Sequence, residues 1–282
     1  MRTISITQIL TGAGCAIDGH TTISVPNWAF IPDHWNVAFL RGLSKLTESW
    51  KGLCVWEIGV GTGTNLIALS DTTSNVTWYF SDYDRRCVPL ALRNLKLFGC
   101  DCQKLNPLHG SWDLVTPPHG SNLQAPKVNV VFGCLPQVPT RIDLSVGDRR
   151  SQYYDPTRYP RAHQNALGLG LNETLLIRAR KVLEPGGQVV LNLSGRPGLR
   201  RLRALYRETG YAPRLIHRET IPQHAGTSLA SLAELEERGH RHFEFYADTE
   251  CRKPISAGEA EIRRLAGEEV FHNIYVMAGT LA

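Results

Sequence analysis

The sequence L-C-V-W-E-I-G-V-G-T-G-T-N, residues 53–65, decides the fold. Its first half is a short, mostly apolar run, typical of a buried parallel strand, and Glu57 lies near the end of that run. Three glycines follow at alternate positions: Gly59, Gly61 and Gly63. Glycine reaches positive φ and lacks a Cβ, so a ligand can lie against bare backbone. A strand, a glycine turn and a helix in this order predict a nucleoside site; the alternative is a purely structural turn.

A second strand is predicted at residues 76–81, and it ends at Asp82. A carboxylate in this position can accept hydrogen bonds from both ribose hydroxyls, as in dinucleotide-binding folds. The loop reads E-x-G-x-G-x-G rather than G-x-G-x-x-G, and no lysine or serine is placed to hold a phosphate. This pattern resembles the first motif of class I S-adenosylmethionine (SAM) methyltransferases, whose ligand has no phosphate.

Composition places the chain among ordinary soluble proteins. Of its 282 residues 42% are hydrophobic and 20% charged, and the formal net charge is +5. The arginines are scattered and lack interleaved aromatic residues, which argues against a nucleic-acid surface. Seven cysteines without a C-x-x-C pair indicate reduced thiols. We expect a cytoplasmic protein without signal peptide or membrane span, because no apolar stretch is long enough for either. We expect no bound metal, because the histidines and acidic residues lack the spacing of metal ligands.

The order of predicted elements indicates a doubly wound α/β fold. Strands and helices alternate from residue 49 onward, which predicts a Rossmann-like, mostly parallel seven-stranded sheet with one antiparallel edge strand. Residues 1–48 are predicted to form a lid-like N-terminal extension, and residues 49–282 one SAM-binding domain. The extension includes a helix that begins after Asp33. Aromatic residues in it could cover the glycine turn or belong to the core: Trp28, Phe30 and Trp35.

Two further segments are expected over the same crevice. A strand at residues 128–132 leads into G-C-L-P-Q-V-P, residues 133–139, and ligands of doubly wound sheets bind at the carboxyl ends of strands. Residues 141–165 are polar, and a loop of that length is typical of a lid or binding loop. It carries three tyrosines: Tyr153, Tyr154 and Tyr159.

Several stretches resemble the methyltransferase domain of methionine S-methyltransferase. They include V-P-N-W-A-F-I-P at residue 25, G-L-G-L at residue 168, S-G-R-P-G at residue 194 and H-R-H-F-E-F at residue 240. The resemblance extends from about residue 25 to the end. Chains of this size are also similar to bacterial azetidine-2-carboxylate synthases, which have the methyltransferase fold but cyclise SAM.

Either resemblance implies SAM as the ligand and assigns residues by position. Glu57 and the three glycines would line the methionine and ribose parts, Asp82 would hold the ribose, and Tyr83 would cover one adenine face. Further contacts to SAM would come from Gly133, Cys134 and Leu135. Pro136 and Gln137 would contact the substrate. Residues 134–137 stand where amide-nitrogen methyltransferases have N-P-P-Y. This difference argues against glutamine or adenine amino groups as substrates.

The resemblance leaves two reactions open. Methyl transfer to the thioether of methionine requires no base, whereas cyclisation needs a neutral amine, a folded methionine chain and an aromatic wall around the sulfonium. We expect cyclisation to azetidine-2-carboxylate with release of methylthioadenosine, because the chain is short and aromatic candidates are available. The residues expected to act in catalysis are Tyr153, Tyr154, Trp28 and Phe30.

The remaining polar candidates have structural alternatives. Arg196 could pair with a substrate carboxylate through its guanidinium fork or form a structural salt bridge. His242, His272 and Glu244 could touch substrate or be structural, and Asn192 lies near Arg196 in the sequence. A SAM-sensing module and a nucleic-acid methyltransferase remain alternative functions. The expected partner is a small molecule, and neither nucleic acid nor membrane is expected.

Overall fold

A computed structural model of the chain describes residues 2–15, 22–70, 75–137, 162–239 and 242–282. The strands in these ranges are β1 (Arg2–Ser5), β2 (Thr22–Val25), β3 (Cys54–Ile58), β4 (Thr77–Ser81), β5 (Leu105–Pro107), β6 (Val128–Gly133), β7 (Leu183–Ser194), β8 (Tyr211–Pro222), β9 (Phe245–Tyr246), β10 (Pro254–Ile255) and β11 (Phe271–Leu281). The α-helices are α1 (Thr7–Gly12), α2 (His34–Leu43), α3 (Thr64–Ser70), α4 (Cys87–Leu97), α5 (Ala162–Asn165), α6 (Gly170–Ala179), α7 (Leu199–Glu208), α8 (Ala230–Glu237) and α9 (Ala257–Leu265). Short 3-10 helices lie at Thr47–Trp50 and Cys102–Lys104.

The central sheet confirms the Rossmann-like methyltransferase fold class. Strands β5-β4-β3-β6-β7 are parallel and follow the 3-2-1-4-5 order of a doubly wound sheet. The antiparallel strand is β11, which pairs with β7 on one side and β8 on the other. It therefore lies inside the sheet and not at the predicted edge, because β8 covers its outer side. Short strands β9 and β10 bring the sheet to nine strands.

Helices cover both faces of the sheet, so its strands are buried on both sides. In β3, Val55 packs against one hydrophobic cluster with α3 and α4, whereas Trp56 packs against the other with α6 and α7. Both side chains are fully buried. This explains why the strand residues read as continuous apolar runs rather than as an alternating pattern.

The N-terminal residues belong to one of these two clusters. Side chains of β1, α1, β2 and α2 join the cluster that also contains Val55 and Phe132 of the sheet. Helix α2 approaches β11 so closely that a Cβ on Gly42 would lie 2.5 Å from Val276. The extension at residues 1–48 is thus packed into the main core, while its lid role stays a prediction.

Some elements differ from the sequence-based prediction. Strand β5 was not predicted, and an isolated bridge joins Asp113 to Thr116. The hairpin of β1 and β2 was not predicted. Among the described residues, none of the helices has the length and apolar character needed to cross a bilayer.

Candidate functional site

The glycine turn joins β3 to α3 at the carboxyl edge of the sheet. Its glycines have φ angles of +75° at Gly59, +53° at Gly61 and +81° at Gly63. The amides of Gly59 and Val60 donate to the carbonyl of Ser81 at 2.9 and 3.1 Å, which fixes the turn against the end of β4. Non-glycine residues rarely adopt these positive φ values, so the backbone itself requires the glycines that the sequence analysis singled out.

Asp82 follows β4 and faces the glycine turn. One carboxylate oxygen accepts the amide of Gly61 at 2.9 Å, and the other accepts the amide of Asp84 at 2.9 Å. Burial raises the pKa of this carboxyl group, and the two amide hydrogen bonds oppose the shift. The two amide hydrogen bonds leave lone pairs on the carboxylate, so it has capacity to accept further donors.

Glu57 is buried at the end of β3, with one oxygen engaged and one not. Asn65, in the first turn of α3, donates its side-chain amide to Oε1 at 2.7 Å. Oε2 has no hydrogen-bond partner among the described residues. Burial raises the pKa of Glu57 to about 8. A buried, unpaired carboxylate oxygen is costly, and a cationic ligand group beside it would remove that cost.

Gly133 and Cys134 end β6 beside the glycine turn. A Cβ on Gly133 would lie 2.8 Å from the carbonyl oxygen of Ile58, so β3 and β6 require a glycine here. Burial raises the pKa of the Cys134 thiol to about 12, and the charge of Glu57 contributes to that shift. Leu135 is buried, with a side-chain methyl 3.4 Å from where a Cβ on Gly59 would be.

Asn192 of β7 holds Cys134 and the first turn of α2 together. Its Nδ2 donates to the carbonyl of Trp35 at 3.0 Å and to the sulfur of Cys134 at 3.3 Å. Its Oδ1 has no partner among the described residues. Trp35 also lies beside His272, with ring centroids 5.8 Å apart. Burial lowers the pKa of His272 to about 3, so this ring is neutral at physiological pH.

Gln137 and Arg196 are engaged with the end of β7. The amide of Gln137 donates to the carbonyl of Asn192 at 3.0 Å and accepts the backbone amide of Ser194 at 2.9 Å. Arg196 donates from Nε to the hydroxyl of Ser194 at 2.7 Å. The two side chains line one small cleft together with Ser194 and Phe243. These contacts position the segment that contains Pro136, and the predicted contacts to substrate stay predictions.

The described aromatic candidates lie in different surroundings. Trp28 is half-buried, and the Arg86 guanidinium lies over its ring at 4.2 Å, beside the start of α4. Phe30 and Tyr83 are 51% and 50% exposed. Tyr153, Tyr154 and Tyr159 lie outside the described residues. The backbone carbonyl of Trp35 accepts from Asn192 of β7, and the sequence analysis did not assign Trp35 to catalysis.

The sequence analysis did not identify three asparagines that support the candidate site. Asn65 supports Glu57, Asn36 of α2 donates to Asn65 at 3.4 Å, and Asn94 of α4 joins β2 to the glycine turn. Of the three, only Asn65 has a sequence position that points to the site, because it lies in the first helical turn after the glycines. No group of three or more His, Cys, Asp or Glu side chains able to hold a metal ion occurs in the part of the chain that the structure describes.

Comparison with known proteins confirms the resemblance to methionine S-methyltransferase. No family model matches the chain. The chain is 27% identical over 278 residues to the Zea mays methionine S-methyltransferase and 25% identical over 279 residues to that of Hordeum vulgare, in both cases over 91% of this chain. It spans 25% of the length of each relative. The S-G-R-P-G motif begins at Ser194, the last residue of β7, and residues 242–245 of the H-R-H-F-E-F motif are among the described residues.

Solved structures with low sequence identity also align with the chain. The precorrin-6y C5,15-methyltransferase of Geobacter metallireducens GS-15 is 14% identical, with a TM-score of 0.46, and the alignment covers 92% of this chain and 93% of that one. The YcgJ protein of Bacillus subtilis is 11% identical, with a TM-score of 0.48, over 86% of this chain and 98% of that one.

Proposed function

We propose that this protein binds SAM between the glycine turn and Asp82 and transfers its methyl group to the thioether sulfur of methionine or a similar small molecule. The observation that carries this proposal is the similarity to methionine S-methyltransferases over 91% of the chain. The chain corresponds to a quarter of the length of those proteins.

The acidic residues at the carboxyl ends of β3 and β4 can bind the polar groups of SAM. The unpaired oxygen of Glu57 fits the ammonium group of the methionine part, and the Asp82 carboxylate fits the ribose hydroxyls. The glycine turn lets the ligand approach the backbone. When bound, SAM supplies a methyl group on a sulfonium, which is a good leaving group.

The chemistry of a thioether acceptor agrees with the groups around the site. A thioether sulfur has a lone pair and no proton to lose, so the protein needs no general base. Cys134 has a pKa near 12, which keeps it protonated and a poor competing nucleophile near the methyl donor. The protein's task is alignment, which supplies about 7–11 kcal/mol in ideal cases.

The similarity favours methyl transfer over the cyclisation that the sequence analysis preferred. The similar proteins are named for methylation of methionine. Of the described aromatic residues proposed for catalysis, Trp28 stacks with the guanidinium of Arg86. The proposed partner is therefore a small thioether amino acid.

Product analysis separates the alternatives. Purified protein is incubated with SAM alone, with SAM and L-methionine, and with SAM and bulk RNA, and heat-denatured protein serves as the blank. S-adenosylhomocysteine and S-methylmethionine formed only with methionine support the proposal. Methylthioadenosine and azetidine-2-carboxylate from SAM alone would replace it with cyclisation. Methylated RNA, or saturable SAM binding without any turnover, would contradict it in favour of the other two functions.

A further inference from the structure

Asn192, at the carboxyl end of β7, carries a buried hydrogen-bond acceptor that its contacts leave unused. The side chain is fully buried, and Oδ1 has no partner among the described residues. Its Nδ2 donates to the backbone carbonyl of Trp35, which can only accept, so the orientation of the side-chain amide is fixed. A buried oxygen without a donor is unfavourable, and a ligand that donates to it would remove that cost.

Asn192 points to the same face of the sheet as Glu57, two strands away. Glu57 pairs in register with Phe132 of β6, and Phe132 pairs with Val190 of β7. Side chains two residues apart on a strand share a face, so Asn192 lies on the same side as Val190 and Glu57. Neighbouring strands are about 4.8 Å apart, which places β3 and β7 about 10 Å apart. The unpaired oxygens of Glu57 and Asn192 therefore belong to two separate points on the carboxyl edge.

Cys134 lies between these two points, at the end of β6. Its sulfur accepts from Nδ2 of Asn192 at 3.3 Å. Burial raises the pKa of the Cys134 thiol, and the charges of Asp33 and Glu57 add to that shift. Two carboxylates thus lie near this sulfur, one from β3 and one from the segment before α2.

Asp33 brings its carboxylate to Asn192 through the first turn of α2. Its Oδ1 accepts the backbone amide of Trp35 at 2.9 Å, and the carbonyl of the same Trp35 accepts Asn192 at 3.0 Å. Burial raises the pKa of Asp33, whereas the amide of Trp35 and the charges of His34 and His224 lower it. A partly desolvated carboxylate beside an unpaired amide oxygen forms a pair of acceptors that suits a cationic donor.

The order of the strands separates this pair from the proposed SAM site. SAM is proposed to lie between the glycine turn after β3 and Asp82 after β4, with its ammonium group at Glu57. Strands β6 and β7 follow on the other side of β3. Their carboxyl ends are therefore available to a second substrate.

We infer that Asn192 and Asp33 bind the ammonium group of the acceptor amino acid, separately from the ammonium group of SAM at Glu57. An ammonium group donates three hydrogen bonds and carries a charge that the Asp33 carboxylate can neutralise. SAM and methionine each have one such group, so their reaction needs two ammonium sites. This inference rests on the proposed function, which makes the acceptor an amino acid; cyclisation of SAM would use a single ammonium site.

The test compares L-methionine with 4-(methylthio)butanoate, which is methionine without its amino group. Dissociation constants of both are measured by calorimetry on protein saturated with S-adenosylhomocysteine. Wild-type protein is expected to bind methionine about tenfold or more tightly, because a hydrogen bond to a charged group contributes at least about that factor.

Two variants assign this preference to side chains. Asn192→Ala and Asp33→Asn should each lower the preference for methionine to about threefold or less. Asp33→Asn keeps an oxygen that can cap α2, so the helix should begin at the same residue. A purely structural defect would weaken both ligands in proportion and leave the preference unchanged. The matched control is Asp101→Asn, an exposed carboxylate that likewise accepts the amide two residues further on, and it should retain the wild-type preference.

A second pair of ligands separates the two ammonium sites. S-adenosylhomocysteine carries the ammonium group of the methionine part, and 5′-methylthioadenosine lacks it. Glu57→Gln should lower the preference for S-adenosylhomocysteine over 5′-methylthioadenosine and keep the preference for methionine over the butanoate. Asn192→Ala and Asp33→Asn should show the reverse.

Failure of the inference and failure of the proposed function give different results. An unchanged preference for methionine in Asn192→Ala and Asp33→Asn would overturn the inference, even if methionine is methylated. A loss confined to S-adenosylhomocysteine would also overturn it, because both side chains would then serve SAM. If Asn192→Ala does not fold, Asp33→Asn decides alone. If the preferences change as expected but no methyl group is transferred, the ammonium site stands and the proposed reaction is wrong.

Discussion

Asn65 donates its side-chain amide to Oε1 of Glu57 at 2.7 Å, while Oε2 of Glu57 has no partner among the described residues. Asn36, in the first turn of α2, donates in turn to Asn65 at 3.4 Å. This row of side chains connects the N-terminal segment to the end of β3. The segment that the sequence analysis interpreted as a lid therefore also supports the carboxylate proposed to meet SAM.

Replacement of Glu57 by Gln should change how stability depends on pH. The pKa of Glu57 is about 8 in the folded protein and near 4.5 in the unfolded chain. A raised folded pKa stabilises the protein fully below about pH 4.5, and this contribution is lost as pH rises towards 8. Wild type should lose free energy of unfolding over that window, by at most about 5 kcal/mol, and Glu57→Gln should lose less.

Urea denaturation at pH 5 and pH 8.5 measures this difference. Glu48→Gln is the control, because Glu48 is exposed on the surface. Equal pH dependence in wild type and Glu57→Gln would show that Glu57 titrates normally in the folded protein.

Replacement of Asp82 by Asn should weaken SAM binding without unfolding the protein. Asn keeps the size of the side chain but lacks the charge, and its amide nitrogen cannot accept from a hydroxyl or from the amides of Gly61 and Asp84. The loss should be about 1–3 kcal/mol, measured as the dissociation constant of SAM by calorimetry. Asp84→Asn serves as the control, since Asp84 pairs with Arg86. Equal losses in both variants would argue against a specific role for Asp82.

Replacement of Gly133 by Ala should destabilise the protein through a backbone collision. The new Cβ would lie 2.8 Å from the carbonyl oxygen of Ile58, and neither strand can move without breaking the parallel pairing. We expect a loss of about 1–3 kcal/mol in the free energy of unfolding. Gly258→Ala is the control, because its nearest contact would be 3.8 Å away and alanine favours helix α9. Equal stability of the two variants would contradict the steric argument.

Local sequence patterns predicted the parts of the fold that depend on neighbouring residues. The strand before Glu57, the three glycines and the carboxylate at Asp82 form one continuous segment with a clear apolar pattern.

Strand β11 shows where such patterns are no longer sufficient to predict the fold. Nine consecutive residues from Phe271 are buried, which requires a neighbour on each side, but the pattern does not state that β7 and β8 are those neighbours.

Contacts between distant residues explain most of what the sequence analysis missed. Asn192 is 157 residues from Trp35, and Asn94 is 70 residues from Ser24. No periodicity marks a buried asparagine whose partners are backbone groups of another element. The strand β5 was missed for a different reason: its three residues include Asn106 and Pro107, which are unfavourable in strands.

Replacement of Asn94 by Ala should loosen the N-terminal hairpin and weaken SAM binding together. Asn94 is fully buried; it accepts the amide of Ser24 at 3.0 Å and donates to the carbonyls of Ser24 and Thr62 at 3.1 and 2.9 Å. Alanine would leave three buried backbone groups unpaired, at a cost of about 2–4 kcal/mol. Because Thr62 lies in the glycine turn, the same change should raise the dissociation constant of SAM, measured by calorimetry, and speed proteolysis before residue 30.

The control for the Asn94 variant is Asn106→Ala, which loses one hydrogen bond of 3.3 Å at the sheet edge. Faster proteolysis with unchanged SAM binding would show that the hairpin and the glycine turn are independent, and that the N-terminal segment does not support the ligand site.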